Sequence, residues 1–505
     1  MKIFSAAFNS HDHNTYDGSW HNQRERYTRR KHNIPWHFDA YPHHSEADRM
    51  NKYDGSACQD FYHEYWKPDE HEVFAFTVTG GALEQLPQMS NITKWIDWEP
   101  TSLWDYKQKD SLYYIDHHQS HAAYAYLLSG YKQSDILAID GRGSKYNCIF
   151  VNKEGQITDL SKHMGIGILW NWFANYLGFG FLGASKVMGL AGYGQYLPEL
   201  HIRLDQYFDN DQNLRWLKEG RNDARLAMKR PEDIAKTLQV ATEERIEEYV
   251  YRLKSCDNLC VSGGVAYNGY INEKFTKEWT NVFVPPAPGD EGQSIGTYMH
   301  ADYILNNNIH KPSVYGGKQY DYVGEETVDL KEVAQAIADG KIVGWFQGKS
   351  ESGNRALGNR SILADPRNPE IKNIINRTIK RREDFRPFAP SVLEEHYQRW
   401  FHTSQPSPYM SRIVRVKIPQ FVPGITHVDG TARIQTVNST DNPRFYQLIN
   451  EFYQITKVPM VLNTSFNCQE PIVETPEQAI HTFQSTQMDL LVINDYILRK
   501  IGNNK

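Results

Sequence analysis

From Ile136 onward the chain alternates short β-rich runs with longer helical stretches, and that order excludes any all-α or all-β fold. "DILAID", "CIFVN", "LCVSG" and "NVFVP" have strand length and are rich in valine, isoleucine and phenylalanine. "KTLQVATEERIEEYVYRLKS" lies among them with helical spacing. The alternation predicts an α/β protein. A chain of 505 residues predicts two or three domains. Between residues 305 and 326, "LNNNIHKPSVYGGKQYDYVGEE", periodicity gives way to Asn, Gly, Pro and Tyr, which marks a junction. The expected domains are therefore 1–315 and 325–505. The second opens with "LKEVAQAIADGKIVGWFQG", read as a helix, a glycine turn and a strand.

Composition removes several classes of function. A net charge of −6 gives no electrostatic footprint for a nucleic-acid polymer. The five cysteines are scattered, which argues against a disulfide framework or a zinc ribbon and fits a reducing cytoplasm. The opening "MKIFSAAFNSHDHN" is too polar after its short apolar run for a signal peptide. "IGILWNWFANYLGFGFLGA" has the length of a membrane span. It carries Asn171, Asn175 and four glycines, however, so a buried helix ending in a glycine-rich loop is expected, and no membrane partner.

The candidate metal site starts in "IDHHQSHAAYAY". Asp116 can cap a helix, with Gln119 completing a capping box. His117 and His121 then stand one turn apart on one face, a spacing that lets two imidazoles reach one divalent ion. Taken alone, such a pair reads as packing. Two carboxylates in glycine turns change the reading: Asp140, ending "DILAID" before "GRG", and Asp290 in "PPAPGDEGQSIG". Two imidazoles and two carboxylates leave coordination positions open on Fe, Mn, Zn or a similar ion. His118 is expected to be structural, and Asp135 and Glu291 to be surface charges.

Ten segments in register carry a family resemblance. They are "ERYTRRKH", "HHQSHAAYAY", "IDGRG", "GASKVMGLAGYG", "VSGGVAYNG", "PPAPGDEGQSIG", "GKSESGNRALGNRSILADPR", "FRPFAPSVL", "ARIQTV" and "LNTSFNCQEPIVETPEQA". In this order they resemble the O-carbamoyltransferases of the nodulation-protein-U, cephem and tobramycin type. The resemblance implies an N-terminal actin-like (ASKHA) ATPase-type domain. There Fe²⁺ is held by residues matching His117, His121, Asp140 and Asp290. It implies a C-terminal YrdC-like α/β domain that makes carbamoyl-adenylate from carbamoyl phosphate and ATP with Mg²⁺. The carbamoyl group then passes to a hydroxyl of a small-molecule acceptor, and AMP leaves. A homodimer is left open.

The residue chemistry suits those roles. In "SGGVAYNG" a strand end, Gly263, Gly264 and Asn268 give backbone that can lie against a nucleotide. "KVMGLAGYG" offers Lys186 and Gly189 in a loop open to phosphate. Arg355 and Arg360 flank a glycine turn, followed by Lys380 and Arg386. Guanidinium groups pair with phosphate oxygens, and the apolar residues of "RALGNRSIL" should draw that segment inward. Asn463, Ser465 and Asn467 of "LNTSFN" supply uncharged donors and acceptors for a carbamoyl group or nucleotide. By resemblance the base for the acceptor hydroxyl is His11, with His13 its rival.

Three departures stand out. "DHNTYDGSWHNQR" is short and polar, so the family's first hairpin is expected to be reduced or replaced, leaving the acceptor open among sugars, nucleosides and natural products. Ser144 stands where a glutamate is common, and Asn354 where a proline is usual. Two other functions compete: an actin-like regulatory or scaffold protein that has lost transfer, and a metal-dependent hydrolase.

Overall fold

The computed structural model describes residues 1–8, 13–23, 71–78, 98–141, 143, 145–209 and 224–500. The chain forms two compact units, one of residues 1–267 with 277–313 and one of 268–276 with 314–505. Both contain mixed α/β sheets.

The first unit repeats one topology twice. In its first sheet β1 (Ile3–Phe8), β2 (His13–Tyr16) and β3 (His21–Gln23) form an antiparallel meander. On the other side of β1 lie β4 (Val73–Val78) and β6 (Leu112–Tyr114), both parallel, with β5 (Lys107–Lys109) at the edge. In the second sheet β7 (Asp135–Ile139), β8 (Cys148–Val151) and β9 (Ile157–Asp159) form the meander. Parallel β10 (Asn258–Ser262) and β11 (Asn281–Phe283) extend it beyond β7. Mixed sheets with helices between their strands fit the α/β organisation expected of this unit. The first hairpin is retained as short strands rather than replaced. Its polar residues Asn14, Thr15 and Asn22 are buried, and Asn14 is consumed in tertiary hydrogen bonds, which the sequence pattern does not reveal.

Each parallel pair is followed by a helix. The helix α1 (His117–Ser129) follows β6, and the helix Gln293–Asn306 follows β11. Their small residues bring them together: a Cβ on Gly296 would stand 2.2 Å from the Ser120 carbonyl oxygen. Ala122, Ala123 and Tyr124 share a core with Ile136, Ala138, Ile295 and Met299. The expected helix in "IGILWNWFANYLGFGFLGA" runs from Ile166 to Tyr176 and yields to Gly178 and Gly180, both in the left-handed region. Among the described residues no helix is long and apolar enough to cross a membrane.

Among the described residues the second unit is built on a ten-stranded sheet. Its strands lie in the order β12 (Glu326–Thr327), β21 (Tyr496–Arg499), β20 (Leu490–Ile493), β13 (Val343–Phe346), β14 (Arg360–Ala364), β19 (Met460–Ser465), β15 (Ala389–Leu393), β18 (Thr431–Val437), β17 (Arg412–Val416) and β16 (Phe401–His402). The central strands are β13, β14, β19, β15 and β18. These bury Val343, Trp345, Ile362, Leu363, Val461 and Leu462 in one core. The expected helix, turn and strand appear as Leu330–Ala338, Gly340 and β13. The excursion Asn268–Thr276 packs with this unit. Its Gly269 lies against β17 (Arg412–Val416), where a Cβ would stand 2.9 Å from the Ile413 nitrogen. Asn272 donates to the Ser411 carbonyl at 2.8 Å, and Tyr270 to Asp429 at 2.7 Å.

Candidate metal centre and a second polar cluster

Four side chains from three parts of the first unit converge. Asp116 caps α1 as expected: its carboxylate accepts from the His118 N–H at 2.8 Å, and Gln119 accepts from the Asp116 N–H at 3.0 Å. That cap fixes the first turn and aims His117 and His121 the same way. Asp140 follows the last residue of β7, and its Oδ1 accepts from the Gly141 N–H at 2.6 Å. Asp290 begins a short turn before the helix Gln293–Asn306, and its carbonyl accepts from Asn14 at 2.9 Å.

His121 Nε2 lies 3.0 Å from Asp140 Oδ2 and 3.3 Å from Asp290 Oδ1, and His117 Nε2 lies 3.5 and 3.4 Å from the same atoms. All four ligand atoms lie within 4.8 Å of one another. Ligand atoms ~2.1 Å from a common cation stand roughly 3.0–3.4 Å apart, so the set fits a divalent ion. Both imidazoles are fully buried and both carboxylates nearly so. Burial alone would lower the His121 pKa, but the Asp140 and Asp290 carboxylates outweigh it and raise it to about 9. Burial would raise that of Asp140, but the two imidazoles hold it well below the usual carboxylate range. Ser262 fixes the second histidine from behind by donating to the His121 carbonyl at 2.6 Å.

Two glycines form the floor. Gly263 has φ +89°, and a Cβ there would stand 2.1 Å from the Ile139 carbonyl oxygen. A Cβ on Gly264 would stand 2.8 Å from Asp140 Oδ1. Gly167, which the sequence did not single out, packs against Asp140 and Gly141 with as little room. Asn268 belongs with the second unit.

Lys186 and Gly189 differ from expectation. They lie in a helix, Ala184–Leu190, and not in an open loop. Val187, Met188, Gly189 and Leu190 are buried there, so packing overrides the flexibility that the glycines suggest. His118 is buried as expected, against Tyr146 and its histidine neighbours. Asp135 is not a surface charge. It is buried and accepts from the Ser255 N–H and hydroxyl at 2.8 and 2.5 Å and from Trp279 at 3.0 Å. Glu291 is likewise engaged, by the Tyr267 hydroxyl and the Gly289 N–H. His11, "ERYTRRKH" and Ser144 lie outside the described residues.

In the second unit Lys380 closes a π-turn, Asn376–Lys380, and Arg381 follows with φ +45°. Such a bulge re-aims a side chain. Here it drives a buried ammonium onto the Ser465 carbonyl, the Ser465 hydroxyl at 3.1 Å and Asn467 Oδ1 at 2.7 Å. Three of the expected residues thus meet. Asn463 sits deeper and donates to the Ala356 carbonyl, Ser391 and Gln435. Arg386 is half-buried beside Glu383, and burial lowers its pKa. Arg355 is half-buried in the turn. Arg360 is drawn fully inside and donates to the carbonyls of Gln347, Asn359, Gly348 and Glu474. Beneath it Glu351 Oε1 accepts from the N–H groups of Leu357, Asn359 and Arg360. The guanidinium and this carboxylate, which the sequence did not flag, hold the arginine turn in place.

Comparison with known proteins bears on both units. A family model described as "Carbamoyltransferase N-terminus" matches residues 97–299, and one described as "Carbamoyltransferase C-terminus" matches residues 334–500. An uncharacterized protein of Synechocystis sp. is 36% identical, covering 79% of this chain and 78% of its own. Nodulation protein NolO of Bradyrhizobium diazoefficiens is 35% identical, covering 76% and 79%. The 3'-hydroxymethylcephem-O-carbamoyltransferase of Streptomyces clavuligerus is 33% identical over 49% of each chain.

Proposed function

The chain belongs to the carbamoyltransferase family, and on that premise we propose that it is an ATP-dependent O-carbamoyltransferase of a small-molecule hydroxyl. The observation that carries the reading is the meeting of His117, His121, Asp140 and Asp290 at the strand ends of the first unit. A divalent ion there, Fe²⁺ by resemblance, would supply Lewis acidity to anionic oxygens of the carbamoyl donor. His117 and His121 hold their side of the site through the Asp116 cap. Gly263 and Gly264 keep the floor low enough for a ligand to approach Asp140.

The second unit, read as YrdC-like, would make the donor. Water cleaves carbamoyl phosphate to carbamate and inorganic phosphate. A carbamate oxygen then attacks the α-phosphorus of Mg²⁺-bound ATP, forming carbamoyl-adenylate and expelling pyrophosphate. Lys380, Ser465 and Asn467 bind the anionic reactants, and by resemblance Arg355 and Arg386 assist them. Arg360 supports them from within. In the first unit the acceptor oxygen then attacks the carbamoyl carbon, AMP leaves, and His11 takes the hydroxyl proton. The thiols fit a cytoplasmic setting.

The test is to incubate metal-loaded protein with ATP, Mg²⁺ and carbamoyl phosphate and to follow AMP and pyrophosphate. AMP formed only with carbamoyl phosphate supports the reading. ADP without it, or no turnover, favours the scaffold.

A further inference from the structure

The strongest observation that this function leaves unused is Gln293. It opens the helix Gln293–Asn306 and is fully buried. Its Nε2 lies 3.3 Å from the His117 carbonyl oxygen and 2.9 Å from His121 Nε2. A carbonyl oxygen only accepts, so the amide end facing it is the nitrogen, and this fixes the orientation of the carboxamide. One N–H serves His117. The other is directed at His121 Nε2.

That nitrogen is oversubscribed. It also lies 3.0 Å from Asp140 Oδ2 and 3.3 Å from Asp290 Oδ1. A ring nitrogen carries either a proton or a lone pair. With a proton it satisfies a carboxylate and opposes the Gln293 N–H. With a lone pair it accepts from Gln293 and opposes the carboxylates. A cation removes the conflict by taking the lone pair together with both carboxylates. The Gln293 N–H is then left without its His121 acceptor, its nitrogen 2.9 Å from that ligand atom.

We infer that Gln293 is a positioning residue of the cation site, whose carboxamide N–H holds an anionic oxygen of the ligand sharing the cation with the four protein residues. This rests on the metal reading above. The ligand class is an oxyanion, phosphoryl or carboxyl. An uncharged donor suits it, because it steadies such an oxygen without repelling the cation. Lysine would repel the cation, and glutamate would occupy the position itself.

The test uses the full chain loaded with Co²⁺, whose visible spectrum reports its ligands, titrated with inorganic phosphate. Wild type should bind Co²⁺ and shift its spectrum on adding phosphate. Gln293→Leu fills the same space, so Co²⁺ should stay bound while phosphate affinity falls about tenfold or more. Gln293→Glu should bind Co²⁺ more tightly and lose the phosphate response. Unchanged phosphate affinity in Gln293→Leu overturns the inference. So does loss of Co²⁺ from a folded Gln293→Leu, which would make Gln293 a ligand. If the leucine variant does not fold, an unaltered phosphate response in Gln293→Glu overturns it equally. Failure of wild type to bind Co²⁺ would instead sink the metal reading.

Discussion

Gly263→Ala tests whether the site depends on its glycine floor. The wild-type φ of +89° costs an L-residue about 1–2 kcal/mol. The added methyl would stand 2.1 Å from the Ile139 carbonyl oxygen and 2.5 Å from its carbon. Both belong to a β7 backbone that is hydrogen-bonded on each side. Forcing such an overlap costs about 1–3 kcal/mol more. The expected loss is therefore about 2–5 kcal/mol, read from urea unfolding. Ile139 directly precedes Asp140, so relief of the clash displaces a ligand, and Co²⁺ affinity should fall at least about tenfold. Gly264→Ala separates the two effects. Its methyl meets a carboxylate oxygen, Asp140 Oδ1 at 2.8 Å, and its backbone is not left-handed. Stability should drop by less than about 1 kcal/mol, while metal affinity falls as far. If Gly263→Ala unfolds like wild type and binds Co²⁺ equally well, the reasoning about this turn is wrong.

Metal affinity should rise with pH. With His121 raised from 6.5 to about 9, the metal-free site gains stability from a protonated imidazole below pH 6.5 and loses it as pH rises through 9. Binding displaces that proton, so the dissociation constant should tighten up to about tenfold per pH unit across this window. A flat titration between pH 6.5 and 9 would contradict the assignment. Lys380→Met should cut carbamoyl-phosphate-dependent AMP formation by about a hundredfold, because it removes a buried charged donor. Its Co²⁺ titration should match wild type, and unaltered AMP formation would count against the second cluster. Asp135→Ala strips an acceptor from Ser255, Cys256 and Trp279. It should cost about 2–4 kcal/mol in unfolding with Co²⁺ affinity preserved, and a wild-type unfolding curve would refute the structural role.

The sequence alone determined what local rules control. The Asp116–Gln119 capping box, the one-turn spacing of His117 and His121, and the glycine stop after Tyr176 are legible because a few neighbouring residues decide them. Asp140 and Asp290 stand out because each is a carboxylate beside a glycine turn, and the family resemblance joins them to the two histidines as one ligand set. Only the tertiary structure decided which groups end up inside. Asp135 reads as a surface charge until Trp279 and Ser255 close on it. The glycines of "KVMGLAGYG" read as a loop until packing holds a helix there. Gln293 reads as an ordinary residue at the start of a helix. It becomes part of the site because α1 and its own helix pack closely enough for a Cβ on Gly296 to clash. Burial and convergence depend on distant segments meeting, and no local window contains that.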